Sequence, residues 1–447
     1  MTTPGGEWRR QRRHALGSLL VVLALGATLV LYRGDSFSAD PEPSAWTTTP
    51  TTSGLALGNL PRVPWAGGPA YYNGFSAMAS AGWGDPNFFP IGVWYEAVTT
   101  PQDAATDKAA GLNTYFELTS STDISLVRDA GMFAMPSTQL KGYGPETVGW
   151  LLTDEVDLWG HEGSAPWTGN FPSEGPICVP EEALCGYTVL QTVRDRLPQN
   201  DGRARYANFG FGMHFFIKDG PAAKFLDYSD ISSLDTYWYT DIGMCEKSQT
   251  PAELCRKSAS YGATMDRIRG LDEMDGKLQP IYAFIEVGLP FAQFTTPIQP
   301  DELSGAVMNS LIHEAKGVIY FNHNFGGDCI TQHVLRDACG AAIRPAVTEV
   351  NRRVTELAPV LNTQSIQYQF SPDLDTMFKE HNGSYYVFAM TARGSAPGPH
   401  TLILPDGLKA AKAEVLFENR SVPIEGGKIV DDFAAEYSYH IYKLTPG

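Results

Sequence analysis

Positive charge is what this 447-residue sequence has least of: 33 Lys and Arg stand against 50 Asp and Glu, a net charge of −17. Five of the arginines fall within the first 33 residues, so the rest of the chain is more acidic still. Such a surface disfavours nucleic acid or another polyanion as partner. Several motifs are also missing. No G-x-G-x-x-G or P-loop follows a strand-like run, which argues against a nucleotide-binding open sheet. No C-x-x-C or H-E-x-x-H spacing is present, so no metal and no cofactor are expected. No G-x-S-x-G elbow supports a serine nucleophile, and no repeat of fixed period points to a solenoid or propeller.

The N-terminus is set apart from the rest. Arg9, Arg10, Arg12 and Arg13 precede an uncharged apolar run over residues 15–32. Its length suits one membrane span, with the basic side expected in the cytoplasm. Residues 1–33 therefore read as a signal-anchor rather than a cleaved signal peptide, and either reading sends the remainder out of the cytoplasm. Residues 34–68, rich in Thr, Ser, Pro and Gly, read as a flexible linker. Six cysteines fall into three near-neighbour pairs, Cys178 with Cys185, Cys245 with Cys255, and Cys329 with Cys339. In an exported chain an even count favours disulfides, and local pairing is the simplest of the possible connectivities.

Residues 88–363 alternate strand-like and helix-like segments, the pattern of βαβ units. Strands are expected at 88–95, 112–118, 132–135, 148–153, within 204–215, and at 231–239, 281–285 and 318–321. Helices are expected at 100–110, 120–130, 187–197, 252–271, 300–315 and 338–361. The connection over 136–147 is too short and too rich in Gly and Pro for a full helix. Eight alternations predict an α/β fold, a (β/α)8 TIM barrel over residues 69–363, with a doubly wound sheet as the alternative. From about residue 364 short strands separated by Gly, Pro and Asn turns (385–390, 401–404, 413–417, 437–442) predict a small C-terminal antiparallel β-sandwich over 364–447. On this assignment the cysteine pairs lie in the loops after strands four, six and eight, stiffening the rim of the barrel's C-terminal face.

Two glutamates end buried-looking runs. Glu155 follows Gly149-Trp150-Leu151-Leu152-Thr153-Asp154, and Glu286 follows Ile281-Tyr282-Ala283-Phe284-Ile285. Carboxylates at the C-terminal ends of barrel strands occupy the place where such barrels do chemistry, and a facing pair suffices to cleave a glycosidic bond. Asp154, Glu155 and Asp157 crowd together with no Lys or Arg nearby in sequence, which disfavours simple ion pairing and raises the pKa of Glu155.

With these motifs the chain resembles retaining glycoside hydrolases of the large (β/α)8 superfamily. The resemblance implies Glu155 as acid/base after strand four and Glu286 as nucleophile after strand seven. It departs in having Asp154 where an Asn is usual, and Asn322-His323-Asn324 where a Trp is usual. The other strand ends supply a polar and aromatic lining suited to sugars: Trp94, Glu96, Glu117, Asp154, Asn208, Asp235, Tyr237, Trp238, Asn322, His323 and Asn324. Tyr237 is the strongest of these by resemblance, while His214 and His323 read more simply as structural. The expected partner is an oligo- or polysaccharide, with the membrane met only through the N-terminal helix. An inverting enzyme pairing Glu155 with Asp154, Asp157 or Asp235, and a non-catalytic glycan-binding barrel, stay open as alternatives.

Overall fold

The computed structural model describes residues 56–137, 139–241 and 243–446. The expected signal-anchor and most of the expected linker lie outside the described residues. Among the described residues no helix is long and apolar enough to cross a membrane.

Eight parallel strands form the barrel: β1 (Ile91–Glu96), β2 (Thr114–Leu118), β3 (Phe133–Met135), β4 (Gly149–Asp154), β5 (Ala204–Phe209), β6 (Ile231–Leu234), β7 (Ile281–Glu286) and β8 (Val318–Phe321). They are ordered β3-β2-β1-β8-β7-β6-β5-β4. The gap between β3 and β4 is closed by backbone bonds: Val148 N–H donates to Ala134 O at 3.0 Å, and Ala134 N–H to Glu146 O at 2.8 Å. The longer helices are α1 (Pro101–Ala109), α2 (Ile124–Asp129), α3 (Gly186–Arg196), α4 (Asp219–Leu226), α5 (Ser258–Asp272), α6 (Pro300–Ile312) and α7 (Arg344–Leu361), with single turns at Ser76–Ser80, Val156–Trp159 and Met244–Lys247. As expected, no helix is described between β3 and β4.

Strand residues alternate between two cores, as a barrel requires. Trp94, Phe116, Leu151, Tyr206, Tyr282, Phe284 and Phe321 fill the interior, while Val93, Tyr115, Leu152, Ala207 and Ile285 pack outward among the helices. The interior is dominated by edge-on aromatic pairs such as Phe116 with Tyr206 at 5.2 Å and Trp94 with Phe284 at 5.5 Å. Tyr72, Met78 and Trp83, from the segment before β1, join this core, and Tyr72 hydrogen-bonds Tyr282 at 2.8 Å.

The element boundaries differ from expectation in the second half. Strand β6 stops at Leu234, leaving 235–239 as loop. Helix α5 starts at Ser258 rather than 252, because the Cys245–Cys255 disulfide occupies the preceding turn. Helix α7 starts at Arg344, with Pro345 in its first turn. Helix α4 was not anticipated from the sequence, since Gly220 and Pro221 lie in its first turn.

Beyond the barrel lie β9 (Leu374–His381), β10 (Ser384–Thr391), β11 (Gly398–Ile403), β12 (Lys412–Val415), β13 (Arg420–Pro423), β14 (Lys428–Phe433) and β15 (Tyr439–Leu444). A five-stranded antiparallel sheet, β13-β12-β15-β10-β9, and the β11-β14 ribbon enclose a core of Phe370, Phe378, Val387, Leu402, Ile429 and Tyr442. Asn382 (φ 49°) and Gly383 (φ 74°) make the two-residue turn joining β9 to β10. The described end of the expected linker is docked here: Leu57 N–H donates to Asp406 O at 2.9 Å and Gln367 N–H to Pro61 O at 2.8 Å. The module is bound to the barrel through buried Lys379, which donates to Thr363 O at 2.7 Å and lies 3.9 Å from Glu314.

All three local disulfides form, Cys178–Cys185, Cys245–Cys255 and Cys329–Cys339. They lie in the loops after β4, β6 and β8, on the rim of the C-terminal face.

Candidate active site

Three non-glycine residues at strand C-termini have left-handed backbone: Tyr95 (φ 55°) on β1, Glu117 (φ 65°) on β2 and Glu155 (φ 50°) just after β4. Such conformations cost on the order of 1–3 kcal/mol each and concentrate where function requires them. The Glu155 N–H is fixed by Asn208 O at 3.0 Å. Its carboxyl is given room by Gly210, where an added Cβ would stand 2.8 Å from Glu155 Oε1 and 2.8 Å from Leu158 Cδ1.

Around Glu155 the fold collects carboxylates. Asp154 accepts from Asn208 Nδ2 at 2.9 Å, and Asn208 Oδ1 in turn accepts from Ser233 at 2.5 Å. Asp157 accepts from the N–H groups of Gly210 at 2.9 Å and Met213 at 2.8 Å. Asp235 accepts from the Tyr237 hydroxyl at 3.0 Å, while its Oδ1 is buried with no hydrogen-bond partner among the described residues. Asp154 is exposed and Glu155 half-buried, so both meet solvent at the C-terminal end of β4.

Burial is the largest influence on every member. It raises Asp154 and Asp157 to about 6 each, and Glu117 to about 7 against the donors of Ser137 and Leu118. Glu155 is pushed well above the carboxylate range, first by burial and then by the charges of Asp235, Asp154 and Asp157. Asp235 is raised by burial and by Asp154, and held back by Tyr237. No cation is among the groups acting most strongly on Glu155. Protonation of Glu155 relieves the repulsion among these acids.

Glu286, at the end of β7, has its own set of partners. It is fully buried, and accepts from the Tyr261 hydroxyl at 2.6 Å, Tyr239 N–H at 3.0 Å and Thr240 N–H at 3.3 Å. Burial raises it to about 7, offset by those donors.

The structure thus brings together Glu155, Asp154, Asp235, Tyr237, Asn208 and Glu117 from the expected set. His323 stands at the same mouth, ringed by Phe321 at 4.7 Å and Phe325 at 5.5 Å, and burial lowers it to about 4, so it is neutral. Trp94 belongs to the barrel core. Glu96 is fully buried and takes His333, Arg336 (3.2 Å) and Asn322 as partners, while Asn322 Oδ1 accepts from Leu335 N–H at 2.8 Å. Asn324 ties its loop to the one after β7, accepting from Leu289 N–H at 2.7 Å and donating to Gly326 O at 3.0 Å in its own loop. Trp238 is buried with its indole N–H on Thr264 at 2.9 Å, and His214 lies 3.4 Å from Thr236.

Sequence reasoning missed Tyr261, the closest partner of Glu286, because one tyrosine on a helix carries no local signal. It also missed Trp159, whose indole N–H donates to Asp154 O at 2.8 Å; its position five residues beyond Asp154 was the available clue. Among the described residues no group of three or more His, Cys, Asp or Glu is arranged to hold a metal ion.

No protein-family model and no curated protein matches the chain. Solved structures similar to it include a GH30 endoxylanase from Clostridium papyrosolvens C71 (9% identity, covering 80% of this chain and 96% of the xylanase, TM-score 0.43). A second is an α-amylase from Geobacillus thermoleovorans complexed with acarbose (11%, 80% and 98%, 0.43). A third is the maltogenic α-amylase AmyB from Thermotoga neapolitana (11%, 81% and 100%, 0.44). At these scores the likeness carries no argument about chemistry, which rests on the residues of the site.

Proposed function

We propose that this protein is an exported glycoside hydrolase with Glu155 as its acid/base. The observation that carries this reading is the juxtaposition of Glu155 with Asp235 at the open end of the barrel. A carboxyl kept protonated near neutral pH faces a second carboxylate, with an exposed third, Asp154, beside them. Glu155 gives its proton to the glycosidic oxygen as the bond to the anomeric carbon breaks. Asp235, poised by Tyr237, attacks that carbon and forms a glycosyl ester. Glu155, now a carboxylate, takes a proton from water as the water displaces Asp235, which restores both groups. Aromatic side chains at the mouth and the acidic charge balance favour a neutral sugar polymer of the envelope or extracellular space. The three disulfides support passage through an oxidising compartment, and the basic-apolar N-terminus supports retention at the membrane.

Glu286 is the second candidate nucleophile, favoured by its position at the end of β7. The test is kinetic. Against aryl glycosides and polysaccharides, E155Q, D235N and E286Q are compared with wild type, with added azide and with NMR of the first-formed anomer. Loss in E155Q and azide rescue of D235N, with anomeric retention, supports the reading. Rescue of E286Q instead moves the nucleophile to Glu286, and inversion makes Asp235 or Asp154 a base acting on water. An E155Q protein unchanged in every assay leaves a glycan-binding barrel without catalysis.

A further inference from the structure

Asp154, Asn208 and Ser233 stand side by side on β4, β5 and β6, paired in register as Asp154 with Asn208 and Asn208 with Ser233. Tyr206 lies two residues before Asn208, on the same face of β5 and inside the barrel. Tyr206, Asn208 and Ser233 are fully buried, and their polar atoms form one chain. The Ser233 hydroxyl donates to Asn208 Oδ1 at 2.5 Å, so it has no proton left for Tyr206. The Tyr206 hydroxyl therefore donates to Ser233 Oγ, also at 2.5 Å. With its oxygen occupied, the Asn208 amide presents Nδ2 to Asp154 Oδ1 at 2.9 Å. Every proton in the chain points toward Asp154.

Reversing that direction is costly. Turning the amide over would send the Ser233 proton back to Tyr206 and strand the phenolic proton. Ser233 is the partner of that hydroxyl among the described residues, and the rings of Phe116 (5.2 Å) and Trp94 (6.5 Å) pack around it. A buried donor left unpaired is expensive. A proton on Asp154 Oδ1 would meet a donor rather than an acceptor, so the chain favours the charged carboxylate. Asn208 also fixes the next residue, its carbonyl accepting from Glu155 N–H at 3.0 Å.

We infer that Tyr206 and Ser233 are positioning residues of this site, locking the Asn208 amide in one orientation and so holding Asp154 as a fixed carboxylate beside Glu155. The charge on Asp154 opposes ionisation of Glu155 and so keeps the proton on the acid. The titratable groups facing Asp154 are Glu117 of β2, Glu155 and Asp157 beyond its own strand, Tyr206 beneath it, and Asp235 and Tyr237 of the loop after β6. All are acids or phenols, and the Asn208 amide is what holds Asp154 down against burial and Asp157. The catalytic consequence rests on the glycoside-hydrolase reading, while the lock itself is read without turnover.

The experiment is a carbon-13 NMR titration of the full chain labelled at its aspartate carboxyls, with D154N and D157N assigning two signals. In S233A the amide is free to turn, and the Asp154 midpoint is expected to rise by roughly 1 pH unit. In Y206F, where Ser233 still donates to Asn208, a rise of roughly 0.5 is expected. Asp157, held by the N–H groups of Gly210 and Met213, is expected to keep its midpoint in both. Should S233A fail to fold, Y206F decides alone. An Asp154 midpoint unmoved in the folded variants overturns the lock. So does an Asp157 midpoint that moves as far, which marks general loosening. A shift in S233A alone keeps Ser233 and removes Tyr206. In turnover, S233A is expected to lose about tenfold in kcat near pH 6, with KM within about twofold, and to approach wild type near pH 8, where Asp154 is ionised in both. A loss of equal size at both pH values overturns the lock as its cause. A shifted Asp154 in a protein that cleaves no glycoside removes the hydrolase reading and keeps the lock; cleavage with an unshifted Asp154 does the reverse.

Discussion

The Tyr237 hydroxyl donates to Asp235 Oδ2 at 3.0 Å, and the other oxygen of that buried carboxylate has no partner among the described residues. The hydroxyl therefore favours the anionic form of Asp235, against burial and the charge on Asp154. Replacing Tyr237 by Phe removes that stabilisation and raises the Asp235 pKa. The acidic limb of the kcat/KM–pH profile is then expected to move upward by roughly 0.5–1 pH unit, the worth of one net hydrogen bond. An unshifted limb with lowered kcat would assign Tyr237 to substrate contact instead.

Gly210 gives a test of positioning. A methyl at this point meets Glu155 Oε1 and Leu158 Cδ1 at 2.8 Å each, well inside contact distance, so G210A must move the carboxyl. Misplacing a catalytic group by about 1 Å costs on the order of 100-fold in rate. We expect that loss in kcat, while thermal unfolding shows a Tm lowered by only a few degrees, roughly 1 kcal/mol in a domain of this size. A variant that keeps its activity would remove Glu155 from the chemistry.

The barrel was legible because its strands are continuous apolar runs and its helices begin with recognisable signals, such as Thr100 accepting from Asp103 N–H in a reciprocal cap. Crowding of Asp154, Glu155 and Asp157 was visible for the same local reason. What sequence could not show was direction. Left-handed backbone at Tyr95 accompanies a Glu96 side chain buried against His333 and Arg336. Glu286 likewise satisfies its oxygens on Tyr261 and the loop after β6. Strand position places a side chain at a barrel's end, and the partners available within about 3 Å decide which way it faces.

The carboxylates also set a stability–pH relation. Asp157 has a folded-state value of about 6 and Glu117 and Glu286 about 7, against 3.8 and 4.5 for ordinary Asp and Glu. A folded pKa above the unfolded one means the native state holds more protons between those values. Stability from these groups is thus present in full below about pH 4 and lost as pH rises through 6 and 7. We expect a higher Tm at pH 5 than at pH 7.5 by scanning calorimetry, with a shallower slope in E117Q. A Tm that climbs over this interval would show that these groups ionise without penalty.

Glu436 of the C-terminal module reaches back to the barrel, accepting from the Tyr239 hydroxyl at 2.5 Å and from Ser258 N–H at 2.8 Å. Tyr239 in turn gives its own N–H to Glu286 and packs its ring on Tyr261 at 5.7 Å. The module is therefore part of the wall behind the loop after β6 rather than an appendage. E436A strands the buried Ser258 N–H and leaves the Tyr239 hydroxyl to Ser258 Oγ at 2.9 Å; one unsatisfied group costs roughly 1–3 kcal/mol, so urea unfolding should show that loss. E436Q keeps one acceptor oxygen but turns its amide nitrogen toward the other donor, and is expected to recover only part of it. If E436A unfolds like wild type, the Ser258 N–H is satisfied by water and the module contributes nothing to this loop.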